Sequence, residues 1–77
     1  MSKKSQLKKA IDDIEREIEA YEHKRERSQT AIMRAMLAGK KPSPEDEQYF
    51  TMFSNLIDQE REKLRNLHTE LDNLSRK

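Results

Sequence analysis

The chain has 77 residues, of which 40% are charged and 32% are apolar, and its formal net charge is +1. A chain this short and polar cannot fill a thick core, which leaves an extended helical assembly or disorder. Basic residues are interspersed with acidic ones, so we expect no nucleic-acid-binding surface. There is no cysteine, no apolar run long enough for a transmembrane segment and no signal-peptide pattern. We therefore expect a single cytoplasmic domain over residues 1–77.

The first predicted element is a helix over residues 4–38. No glycine or proline occurs before Gly39, and most residues of this segment are good helix formers. Its stripe positions follow one another at alternating intervals of three and four residues, which is the a and d pattern of a coiled-coil heptad. The stripe comprises Leu7, Ile11, Ile14, Ile18, Tyr21, Arg25, Ser28, Ile32 and Ala35.

A turn is predicted over residues 39–43, within the stretch "AGKKPSPEDE" that holds the only glycine and both prolines. Gly39 suits the left-handed position that ends a helix. Ser43 suits the N-cap of a following helix, and Pro44 suits its first helical position. The stretch is therefore interpreted as a hairpin turn between two helices rather than as a linker between two domains.

The second predicted helix covers residues 44–75 and contains no further glycine or proline after Pro44. Its stripe again alternates intervals of three and four residues, so it is also a coiled-coil heptad. The stripe comprises Phe50, Phe53, Ile57, Glu60, Leu64, Leu67, Leu71 and Leu74.

So short a turn forces the two helices to run antiparallel, which predicts an all-α fold, an antiparallel coiled-coil hairpin. Dimerisation into a four-helix bundle is one further option. A single register aligns the a positions of each helix with the d positions of the other, and it places Ile18 opposite Leu67 and Arg25 opposite Glu60. Opposed charges offset much of the cost of burial, and such a pair fixes register more than it adds stability.

Several large apolar residues lie outside both stripes, and all of them are close to the turn. Three interpretations remain open: they pack two copies together, they bind a different protein, or they fold over the tip as local core. A hairpin of this size is only marginally stable alone, which favours a partner. The predicted partner-binding residues are Met33, Met36, Leu37, Tyr49, Met52 and Leu56.

The sequence contains no pattern that predicts catalysis. His23 and His68 fall at different levels of the hairpin, so we expect solvated side chains rather than metal ligands. Acidic residues have basic neighbours, for example Glu22 with Arg61 across the hairpin, which indicates ion pairing rather than acid–base chemistry. No phosphate-binding glycine loop or nucleophile–base pattern is present. We expect no enzymatic activity, no cofactor and no small-molecule substrate.

The stretches "LKKAIDDIEREIEAYEHKRE" and "IDQEREKLRNLHTELDNL" resemble the two helices of the homology-region (REM) hairpin of Rho effectors. That hairpin occurs in protein-kinase-C-related kinases and in membrane-bending adaptor proteins, and the resemblance covers nearly the whole chain. It implies a domain that binds the switch surface of a GTP-loaded small GTPase. It contains no short motif from which individual contact residues can be carried over.

The stretch "MLAGKKPSPEDEQYF" is similar to the turn region of the small co-chaperones of type III secretion needles. Those proteins are also helical hairpins, and they use an apolar surface to hold a second chaperone and an unfolded needle subunit. The first helix here is longer than in that family. A start at Met1 and an end at Lys77 suit a small complete bacterial protein, although an excised domain is the alternative.

These observations together predict a non-catalytic protein–protein interaction module. The first candidate is a hairpin that binds a Rho-family GTPase. The alternatives are a co-chaperone or adaptor of a bacterial secretion system, and a homodimeric structural coiled coil.

Overall fold

A computed structural model describes residues 2–76, so the two terminal residues of the predicted domain lie outside the described residues. Helix α1 spans Lys3–Leu37 and helix α2 spans Pro44–Ser75. They pack against each other along a rod of 59 × 17 × 16 Å, and residues 2–76 contain no strand. The prediction of an all-α antiparallel hairpin is confirmed. Neither helix contains, within that range, a segment long and apolar enough to cross a membrane.

The turn has the conformation that its residues predict. Gly39 has a φ of 71°, its N–H donates to the carbonyl of Met36 at 3.0 Å, and the N–H of Lys40 donates to the carbonyl of Ala35 at 2.8 Å. This pair of bonds is the Schellman motif, which satisfies carbonyls that the end of a helix leaves unpaired. The backbone N–H of Asp46 donates to the hydroxyl of Ser43 at 3.1 Å, so Ser43 caps α2.

The helix predicted over residues 4–38 starts and ends one residue later than the observed α1, Lys3–Leu37. Ser2 is its N-cap, and the Ser2 hydroxyl accepts a hydrogen bond from the backbone N–H of Ser5 at 3.2 Å. Ser2 is a favourable N-cap residue in the sequence, but Lys3 and Lys4 follow it where acidic residues would suit the helix dipole. Because basic residues are unfavourable in the first turn, the sequence did not indicate that the helix starts there.

The core is the stripe that the heptads predict. Every stripe residue of both helices is buried or half-buried, and Ile57 near the middle of the rod has no exposed surface at all. Leu7, Ile11 and Ile18 are the other buried apolar residues. Three of these four therefore lie in the half of the rod that holds the chain termini.

The register between the helices differs from the predicted one. The rings of Tyr21 and Phe53 stack with centroids 6.1 Å apart. In the predicted register Phe53 would face Ile32, which lies about 16 Å along α1 from Tyr21 at ~1.5 Å per residue. The helices are therefore shifted by one heptad, and Phe53 lies level with Arg25.

The predicted pairing of Arg25 with Glu60 is consequently wrong. The same heptad shift brings Glu60 level with Ile18, and the ion-pair partner of Glu60 is Lys63, with Nζ to Oε1 at 3.1 Å. Arg25 is half-buried and forms no ion pair within residues 2–76.

The preference for the shifted register has a physical cause. Any shift by one heptad still aligns a positions with d positions, so the spacing of the pattern alone does not choose between registers. The observed register brings Leu71 level with Leu7, which is buried and would otherwise overhang the end of α2. Burying a leucine contributes ~1.5–3 kcal/mol, whereas an ion pair within the stripe must first offset the cost of removing both charges from water and so adds little net stability. The apolar contact therefore outweighs the pairing of Arg25 with Glu60.

Candidate interaction surface

Large exposed apolar side chains are concentrated next to the turn. Leu37 is 87% exposed, Met36 is 64% exposed, and Met33, Tyr49 and Met52 are each at least 43% exposed. Leu56, the sixth predicted residue, is half-buried. The other half of the rod shows no large exposed apolar side chain within the described residues. An unused apolar surface in one half of the molecule is typical of an association site.

The six residues form two groups and not one continuous surface. In an antiparallel hairpin the e and b positions of both helices make one flank, and the g and c positions make the other. Met36 and Met33 occupy e and b of α1, with Leu37 at the outermost f position; we call these three the methionine group. The tyrosine group, on the g/c flank of α2, consists of Tyr49, Met52 and Leu56.

An aromatic cluster packs against Tyr49 of the tyrosine group. Phe53 stacks on Tyr21 on one side and on Tyr49 on the other, with the centroids of Tyr49 and Phe53 6.2 Å apart. The ammonium of Lys24 lies 5.8 Å from the Phe53 ring centroid, within range of a cation–π contact. Lys24, Tyr49 and Phe53 line an open groove, whose remaining walls are Arg27, Ser28 and Asp46.

Further along the same flank, towards the termini, lies an acidic cluster. Hydrogen bonding to Glu60, and the like charge of that carboxylate, raise the pKa of Glu17 above its ordinary value. Asp13 adds to the repulsion and Lys63 opposes it. The hydrogen bond to Glu60 and its negative charge likewise raise the pKa of Lys63. The flank therefore carries negative charge here that one lysine does not balance.

The e/b flank carries an ion pair that the sequence predicted. Arg61 Nη2 lies 3.5 Å from Glu22 Oε2, and both side chains are nearly half exposed. Glu15 and Glu19 line the same shallow groove, so α1 presents a row of acids on this flank. So exposed a pair contributes little stability, and it serves mainly to confirm which faces of the helices meet.

The two histidines lie on the surface. His23 lines a shallow depression on the outer face of α1 together with Arg27, Thr30 and Arg34. His68 is exposed on α2. Residues 2–76 contain no group of three or more histidine, cysteine or acidic side chains placed to hold a metal ion.

Comparison with known proteins gives no relative: no protein-family model matches the chain, and neither the curated proteins nor the solved structures provide a match. The resemblances to Rho-effector hairpins and to secretion co-chaperones therefore stay predictions.

Proposed function

We propose that this hairpin is a non-catalytic protein-binding module of the cytoplasm, which holds a protein partner at its turn-proximal end. The observation that carries the proposal is the exposure of the methionine group beside a rigidly capped turn. Leu37 is almost entirely exposed at the last residue of α1, where the Schellman motif fixes the direction of the backbone.

The chemistry of the methionine group suits a protein contact. Met33 and Met36 are flexible and polarisable side chains that adapt to the shape of a partner, and Leu37 supplies a branched apolar anchor. While they are exposed to water, these three side chains add nothing to the stability of a hairpin whose core is already small. A partner that covers these three side chains would remove their apolar surface from water, and the complex would be stabilised by that burial.

Two partner classes follow from the resemblances. A GTP-loaded Rho-family GTPase is the first, and its binding would make the chain an effector module. A needle subunit with its chaperone from a type III secretion system is the second. The turn favours the second, because Gly39 ends α1 and Pro44 with Glu45 begins α2, which is the pattern on which the similarity to those co-chaperones rests.

The proposal is tested by titration calorimetry with purified proteins. The chain is titrated with a Rho-family GTPase loaded with a non-hydrolysable GTP analogue or with GDP, and separately with a needle subunit bound to its chaperone. Binding that depends on the GTP analogue assigns the first class, and binding of the needle complex assigns the second. Failure of both titrations would contradict the proposal for these partner classes.

The site is tested with Met36→Lys and Leu37→Lys. Lysine is tolerated at the C-terminal end of a helix, so both variants should fold. We expect the dissociation constant for the partner to rise at least about tenfold, because each substitution removes an apolar contact. Thr69→Lys, an exposed position of α2 in the terminal half, is the matched control and should bind as the wild type does. Equal affinity in all variants would place the contact elsewhere.

A further inference from the structure

We propose that two copies of this chain associate antiparallel through their g/c flanks, with α1 against α1 and α2 against α2, to form a four-helix bundle. This inference goes beyond the proposed function, because it concerns a second surface and a second occupant. The methionine group lies on the opposite flank and at the tip, so it remains free in such a dimer.

The charge pattern of α1 on this flank is self-complementary. Towards the termini the g and c positions carry Asp13 and Glu17, and towards the turn they carry Lys24, Arg27 and Arg34. All five side chains are exposed, and none forms an ion pair within residues 2–76. When two copies run antiparallel about a two-fold axis near Ala20, Lys24 meets Glu17 of the other copy and Arg27 meets its Asp13.

This arrangement also resolves the electrostatic imbalance in the acidic cluster. Glu17 lies beside Glu60 and near Asp13, with Lys63 as the only compensating cation identified there. A second copy brings Lys24 and Arg27 to that position. Charge complementarity of this kind fixes the relative orientation of two surfaces and disfavours other partners.

Apolar surface on α2 lies where such a dimer would bury it. Leu56 lies near the middle of the flank, close to the level of Ala20, so the two copies of Leu56 approach each other across the axis. Tyr49 and Met52 lie on the same flank further towards the turn, where they face the terminal half of α2 in the other copy. A flank of 59 by 17 Å is large enough for the roughly 800 Å² per partner that a standard interface buries.

The e/b flank does not fit a second copy. Its α1 positions carry Asp12, Glu15, Glu19, Glu22 and Glu26 in succession. Two such rows placed against each other would repel along their whole length. The charge pattern of α1 therefore favours the g/c flank for self-association and leaves the e/b flank to solvent or to a basic partner.

The first measurement is the mass of the full chain by sedimentation equilibrium from micromolar to millimolar concentration. We expect twice the 9.2 kDa of one chain at the upper end. A mass of a single chain at millimolar concentration, or of more than two chains, overturns the proposal. A monomer that still binds a partner through the methionine group would leave the proposed function intact, so the two ideas fail separately.

A charge swap tests the pairing. Lys24→Glu and Glu17→Lys each place two like-charged contacts in the interface, and we expect each to raise the dimer dissociation constant roughly 100-fold. The double variant recreates the opposite charges and should recover most of the affinity. Within one chain the two residues lie a heptad apart, about 10 Å, so the recovery reports on the contact between copies. Glu19→Lys on the other flank is the control and should leave the dimer intact. A dimer that survives both single changes, or a double variant that does not recover, contradicts the pairing.

A cross-link tests the position of the axis independently. Because the chain has no cysteine, Ala20→Cys introduces a single thiol next to the proposed two-fold axis. Under mild oxidation we expect a disulfide-linked dimer, since the two Cα atoms would lie within the about 4.4–6.8 Å that a disulfide spans. Glu19→Cys, one residue away but on the e/b flank, should remain unlinked. Equal cross-linking of the two variants would place the interface elsewhere.

Discussion

The terminal and turn-proximal halves of this rod are built from the same heptad pattern but differ in what the pattern buries. In the terminal half Leu7, Ile11 and Ile18 are buried, and no large apolar side chain is exposed within the described residues. In the turn-proximal half Ile32 is only half-buried, and the methionine group and most of the tyrosine group are exposed. Among the described residues, the terminal half therefore exposes no large apolar side chain, whereas the turn-proximal half exposes several.

The difference follows from where the sequence places its large residues. The terminal half holds all of its isoleucines and leucines at a and d, so two helices cover them, although Glu60 also occupies a d position. The turn-proximal half has Ala35 and Ser28 in the stripe and places methionine, leucine and tyrosine outside it. We infer that the residues of the terminal half mainly stabilise the hairpin, and that those of the turn-proximal half mainly contact a partner.

The largest effect should come from removing the same side chain from each half. Ile18→Ala deletes a buried residue and should lower the free energy of unfolding by roughly 2–4 kcal/mol. Ile32→Ala deletes a half-buried residue and should cost about half as much, since less surface returns to water. Thermal melts followed by circular dichroism measure both. Equal losses would show that the two halves are packed alike.

The second-largest change in stability should come from Glu60→Leu, which tests the register between α1 and α2. Glu60 is 8% exposed, lies level with Ile18 and is paired only with an exposed lysine, so leucine should stabilise the hairpin by ~1–2 kcal/mol. If Glu60 instead balanced Arg25, the same change would leave a buried charge without its partner and lower the melting temperature. Arg25→Leu is the companion variant, and we expect no destabilisation from it.

At the turn, Gly39→Ala should cost about 1 kcal/mol. The added Cβ would meet no atom within 4 Å, so the loss comes from the left-handed backbone at φ 71° and not from a clash. Gly39→Asn, which tolerates that conformation better, should lose less. Denaturant unfolding of the two variants and the wild type gives the comparison. An alanine variant as stable as the wild type would mean that the turn can adopt another form.

The smallest effect is a pH dependence confined to the terminal half. The pKa of Glu17 is raised above 4.5, mainly by Glu60, with Asp13 adding to the shift and Lys63 opposing it. The folded chain therefore holds this proton more tightly than the unfolded chain does. Stability is gained as the pH falls through the raised pKa, and the penalty is fully present above it.

Glu17→Gln isolates this contribution. Melts of the dilute, monomeric chain should show Glu17→Gln above the wild type at pH 7, with the gap closing as the pH falls below ~4.3, the ordinary pKa of glutamate, because Glu17 is then protonated in both states. In a Glu60→Leu background, which removes the main cause of the raised pKa of Glu17, the same substitution should show a smaller change with pH. A gap that stays constant with pH would rule out Glu17 as its source.

Much of this fold was predictable from residues whose effect is local. Gly39, Ser43 and Pro44 determine the ends of the helices through bonds to near neighbours, and the stripes follow from spacing alone. The register could not be predicted in this way. It depends on whether the burial of Leu7 or the pairing of Arg25 stabilises the hairpin more, and a periodic pattern is compatible with either. The Ser2 cap was missed because a basic first turn follows it.

The division of the six candidate residues into two groups was also contained in the heptad positions. Met36 at e and Tyr49 at g cannot share a flank, whatever the register. The aromatic cluster around Phe53 and the acidic cluster around Glu17 could not be predicted from the heptad positions, because both depend on which residues of α2 face which residues of α1.

The capped turn also bears on the order in which the chain folds. Contacts next to the turn close short loops, and each heptad further out closes a longer one at a greater entropic cost. Folding should therefore start at the turn and proceed outwards, although three of the four buried apolar side chains lie in the terminal half. Pulsed amide exchange during refolding offers a test, with amides next to the turn becoming protected before those near Ile11.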